Sequence, residues 1–182
     1  MKKAIGLVEV KNVAKGIMVA DAMLKAGNVT LNMAMPLCPG KYIILISGDV
    51  GAVLSSVQSG KSVGQDTIVD DFILPSPHDS LYQAMAGNTD IKEIKALGII
   101  ETYSVASGII AGDAAAKAAA VQLIEIRLAR GMGGKAVITL TGDVGAVTAA
   151  VKAGSATVER SGFLVDQVVI PAPQKGLHEM LL

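Results

Sequence analysis

Residues Ala4–Val10 are apolar apart from Gly6 and Glu9, and their aliphatic side chains predict a strand. Apolar positions then recur at helical spacing over 14–26, with Lys25 near the end and Gly27-Asn28 as a stop. Residues 29–35 alternate as a second strand. Pro36-Leu-Cys-Pro-Gly40 reads as a turn-rich loop, and 41–47 as a buried strand. Asp49 is placed to cap a helix of small residues over 50–63. A fourth strand over 67–74 ends at Pro75 and Pro77, and a short helix over Ser80–Ala86 closes the series.

The pattern then starts again. Ala4-Ile-Gly-Leu-Val-Glu9 returns as Ala96-Leu-Gly-Ile-Ile-Glu101, and Val13-Ala-Lys-Gly16 as Val105-Ala-Ser-Gly108. Asp21-Ala-Met-Leu-Lys25 returns as Asp113-Ala-Ala-Ala-Lys117. Gly48-Asp-Val-Gly-Ala-Val53 recurs unchanged as Gly142-Asp-Val-Gly-Ala-Val147, and Leu74-Pro-Ser-Pro77 is answered by Ile170-Pro-Ala-Pro173. Five ordered matches mean duplication. The register slips before Lys41/Lys135 and before Pro75/Pro171, where loops are expected. The predicted fold is α/β (α+β): two tandem ferredoxin-like domains, 1–90 and 91–182, each an antiparallel four-stranded sheet with helices on one face. The polar stretch 87–95 is the expected boundary.

Composition narrows the function. Hydrophobic residues are 51% of the chain and charged residues 18%, below the roughly 25% of a typical globular protein. The apolar runs are strand-length, too short for a membrane span. The excess is therefore expected in cores or subunit contacts. The amino terminus enters a strand at once and leaves no room for a signal peptide. Net charge is zero and aromatic residues are 3%, which argues against nucleic acid as a partner. One cysteine permits no intrachain disulfide and fits a cytoplasmic address.

Together, Ala-x-Gly-x-x-Glu, Asp-Ala-x-x-Lys, Gly-Lys after a loop, and Gly-Asp-Val-Gly-Ala-Val resemble the bacterial microcompartment shell protein family, over nearly the whole chain and twice. Each copy opens on the Ala-x-Gly-x-x-Glu strand, so the resemblance implies BMC domains with unpermuted strand order. It also implies a homotrimer that mimics a hexamer and tiles with other shell proteins around encapsulated enzymes, without membrane or catalytic role. The family's usual arginine between the closing prolines is Ser76 and Ala172 here.

Cys38 is the sharpest chemical feature. Within the family, its loop is similar to that of tandem members from propanediol-utilising compartments. There a cysteine stands at the three-fold axis, and three of them hold one shared 4Fe–4S cluster. The resemblance so implies Cys38 as metal ligand, one per chain, for electron transfer or cluster delivery across the shell. It makes Leu37, Pro39 and Gly40 pore-loop residues, with Arg130, Gly131, Met132 and Gly133 in the matching thiol-free loop. Pro36 and Pro39 stiffen the cysteine loop, and Gly40 lets it turn. Zinc competes, since three thiolates and a water also suit it. A small buried hydrophobe is the plainest reading of a lone cysteine. Two other functions stay open: a metal-free pore for metabolites, and a cytosolic ferredoxin-like sensor or redox protein with Cys38 as nucleophile. The latter would draw on Lys41 and Arg130 for positive charge.

Lys25 and Lys117 complement their helix dipoles, and the resemblance implies an interface role at edges between assemblies. Glu9 and Glu101 are expected to make structural hydrogen bonds. Gly48-Asp-Val-Gly51 and its copy read as strand-to-helix turns with an Asp cap. His78 and His178 have no partner at triad or metal spacing and read as surface residues.

Overall fold

A computed structural model describes residues 4–181, with the side chains of His178 and Met180 outside the described set. The chain divides into two compact units. The first comprises Met1–Pro77 with Arg130–Gly134, the second His78–Ala129 with Lys135–Leu182.

In the first unit, strand β1 is Ala4–Val10, helix α1 Val13–Ala26, β2 Val29–Leu37, β3 Lys41–Gly48, α2 Val50–Gly64 and β4 Ile68–Leu74. A single 3-10 turn, Gln65–Thr67, joins α2 to β4. The sheet order is β2-β3-β1-β4, all pairs antiparallel. This is the expected split βαβ arrangement, with β3 and β1 as the inner strands. Even-numbered residues of β1 face the helices. Ala4, Val8 and Val10 pack there with Val19 and Met23 of α1, Ile44 and Ile46 of β3, and Val53 and Val57 of α2. Gly6 lies where α2 crosses the strand: a Cβ there would sit 2.6 Å from Val57 Cγ2 and 2.7 Å from Val53 Cγ1. The Gly of the repeated strand motif is thus a packing requirement. Asn12 caps α1, its side chain accepting a hydrogen bond from Lys15 N at 3.0 Å.

The second unit begins with helix α3, Ser80–Ala86, and continues through β5 Ala96–Thr102, α4 Val105–Ala118, β6 Gln122–Leu128, β7 Ala136–Gly142, α5 Val144–Glu159, β8 Leu164–Ile170 and α6 Lys175–Leu181. Its sheet runs β6-β7-β5-β8. Helix α3 follows the first repeat in sequence but packs on β6 and α4. Its exit is closed by Gly87 at φ 62°, whose N–H bonds to the carbonyls of Ala84 and Gln83. Among the described residues no helix is long and apolar enough to cross a membrane.

Three local expectations change. Strand β2 runs through Pro36 to Leu37, so the loop shortens to Cys38–Gly40. Proline is tolerated there because β2 is an edge strand. Asp49 and Asp143 occupy N-cap positions, but neither side chain caps. Each offers its backbone carbonyl instead, to Val53 N and Val147 N at 2.9 Å, and Asp143 turns its carboxylate to Lys95. His78 is half-buried: its N–H donates to Asp113 Oδ1 at 2.7 Å, and its ring Nδ1 lies 2.8 Å from Ser80 Oγ. His178's side chain lies outside the described residues.

Candidate functional site

Cys38 sits at the tip of the turn joining β2 to β3. Leu37 is buried and anchors the strand end, while Cys38, Pro39 and Gly40 are exposed. Gly40 N donates to Leu37 O at 2.7 Å, and Gly40 adopts φ 107°, a conformation side chains rarely take. The turn therefore holds the thiol outward on a short, hydrogen-bonded support.

The second repeat's loop packs beside this turn in the same compact unit. Gly134 is buried, and a Cβ there would meet the Cys38 carbonyl oxygen at 3.2 Å and Lys41 Nζ at 3.0 Å. Gly131, Gly133 and Gly134 all have positive φ, as does Ala129, so the strand turns out through glycine-dependent geometry. Arg130, Gly131 and Gly133 are exposed and Met132 is half-buried.

Lys41 ties the two loops together. Its ammonium lies 2.9 Å from Glu9 Oε1 and donates to Gly134 O at 3.3 Å. Glu9 is fully buried and Lys41 is 17% exposed. The matching pair, Lys135 and Glu101, is 2.5 Å apart and more open, at 38% and 27%. The hydrogen bond from Lys135 to Glu101, helped by the carboxylate's charge, holds the Lys135 ammonium above its ordinary pKa. Each glutamate is thus held by the lysine of its own repeat. Sequence reasoning did not pair them with these lysines, although each repeat keeps both residues. Lys41, expected as a positive neighbour of Cys38, gives its charge to Glu9 and Gly134.

Lys25 and Lys117 lie in the last turns of α1 and α4, paired with Asp21 at 2.6 Å and Asp113 at 2.5 Å. Among the described residues of one chain, no three His, Cys, Asp or Glu side chains form a metal-binding group. A depression of about 570 Å³ lies in the second unit, lined by Asp90, Lys92, Glu93, Lys95 and Asp143 among others. None of the expected site residues line it.

Comparison with known proteins places this geometry. The BMC domain model matches residues 4–77 and again 96–173. The chain is 40% identical over 182 residues to the bacterial microcompartment shell protein PduT of Citrobacter freundii, covering 100% of this chain and 99% of that one. A crystal structure of a microcompartment protein from Desulfitobacterium hafniense DCB superposes with TM-score 0.87 at 52% identity, over 98% of this chain and 99% of the other. The fused permuted hexameric shell protein MSM0275 shares the fold, with TM-score 0.66 at 21% identity over 87% of this chain and 84% of its own.

Proposed function

The chain belongs to the BMC domain family, as a microcompartment shell protein with two such domains in tandem, and from that premise we propose that three copies close into a ring whose centre is a metal site built from Cys38. Shell proteins of this family assemble with one another into hexamer-like layers. Two domains per chain and three chains give six positions about one axis. The ring then alternates the Cys38 turn with the Arg130–Gly134 loop, and the two kinds of loop already lie side by side within one chain.

The observation that carries the proposal is the exposed thiol on its rigid turn, with no thiol in the matching loop. One chain cannot supply the thiolates an iron–sulfur cluster needs, and three chains supply three. The donor set fits a 4Fe–4S cluster with one iron left for water, a small ligand or a partner's side chain. When bound, such a cluster supplies one-electron transfer. The chain's own residues present the thiol and fix its height: Leu37 anchors the strand end, the Gly40–Leu37 hydrogen bond closes the turn, and Lys41 braces the neighbouring loop. The shell role is then conduction of electrons, or delivery of clusters, to enclosed enzymes, with no bond-making chemistry. Lys25 and Lys117 take the edges between trimers.

Anaerobic purification with iron and sulfide analysis tests this. The expected result is brown protein with four irons and four sulfides per three chains, and colourless, still trimeric protein for Cys38→Ser. Colourless, metal-free wild-type trimers would leave a plain metabolite pore. Zinc bound by the same thiols would replace the redox role with a structural one.

A further inference from the structure

The two repeats share a sequence pattern but not a burial pattern, and the difference marks a docking surface. In the second unit, α3 lies on α4 and β6. There Ile109 is 0% exposed and Leu123 2%. Their counterparts in the first repeat, Ile17 and Leu31, are 57% and 41% exposed, and Met18 beside them 58%. Asp113 accepts the N–H of His78, where the chain leaves the first repeat, and its side chain is 6% exposed. The counterpart Asp21 is 61% exposed. The first repeat therefore carries the same face as the second, without the segment that covers it.

The covering segment has its own counterpart. Residues 78–86 follow Pro77 and residues 174–181 follow Pro173, so His78 corresponds to Gln174 and Leu81 to Leu177. Leu81 is 0% exposed, while Leu177 is 40% exposed. Among the described side chains of α6, Leu181, at its end, packs on the cluster of Ile94, Leu97 and Ile124. One chain thus holds an uncovered face and an unplaced cover of matching kind.

We infer that residues 174–181 of each copy dock on the α1–β2 face of the next, with Leu177 seated over Ile17 and Leu31 and the Gln174 N–H bonded to Asp21. This rests on the three-fold reading above and names the joint that closes it. A second contact follows from the same correspondence. Lys41 donates to Gly134 O within one chain, so Lys135 donates to Gly40 O of the next copy, beside its Cys38. Both contacts run from the second repeat of one copy to the first repeat of its neighbour. The joint is head-to-tail, and a ring of three chains closes it.

The test starts from wild-type protein in sedimentation velocity, which is expected to run as a trimer. Leu177→Glu and Asp21→Arg alter side chains exposed in the single chain. Each is expected to lower trimer affinity at least tenfold while circular dichroism stays that of folded protein. In a Cys38→Ser background, Asp21→Cys with Gln174→Cys is treated with a short bis-maleimide. Linked dimers and trimers on a denaturing gel are expected. Crosslinks confined to single chains would mean the tail folds back on its own molecule and overturn the joint. Wild-type-like trimers for both point variants would also overturn it, with the three-fold reading intact. A monomeric wild type would end both.

Discussion

Glu9 and Glu101 hold one place in the repeat, and their surroundings give them different weight. Glu9 is sealed from solvent with Lys41 against it, so removing the cation takes the compensating charge from beside a buried carboxylate. Lys41→Met is expected to cost about 3 kcal/mol in urea unfolding, the lower end for breaking a buried pair. Lys135→Met opens a pair that water already reaches, and its loss should be too small to shift the midpoint clearly. Because Lys135 is held above its ordinary pKa of 10.5, whatever its pair contributes is fully present below that value and fades as pH rises through the higher folded one. Equal losses for the two variants would refute this ranking. The sequence displays both Glu–Lys pairs. It cannot rank them, because burial is set by what packs around each side chain and not by the residues themselves.

Helix starts show the same division at the scale of elements. Asn12 and Asp49 both stand at N-cap positions with extended backbone, and only Asn12 turns its side chain to a free N–H. Asn12→Ala is expected to lower stability by about 1 kcal/mol, and Asp49→Ala by far less, since Asp49 contributes its carbonyl and any residue has one. Thermal unfolding of the two variants side by side decides it. Strand β1 and helix α3 have the bounds their sequence predicts, because their hydrophobic period and stop residues are local. Strand β2 does not. It runs on through Pro36, and its register shifts between Leu31 and Met33. An edge strand with one partner accepts a proline and a bulge that a central strand would refuse.

For the molecule as a whole, the repeat marks a shell protein, and the asymmetry between its copies carries the proposed joint. If Lys25 takes an edge between trimers, Lys25→Ala should leave trimers intact and abolish extended sheets in electron micrographs. Sheets as large as wild type's would remove Lys25 from that edge. The sequence by itself determined the duplication, the order β-α-β-β-α-β within each copy, and the thiol loop present in only one of them. These are properties of neighbouring residues, and periodicity records them. Only the tertiary structure decided the sealing of Glu9, the placement of α3 on the second unit, and the open face left on the first. Each of those depends on groups far apart in the chain meeting and excluding water together, and a one-dimensional pattern carries no measure of that.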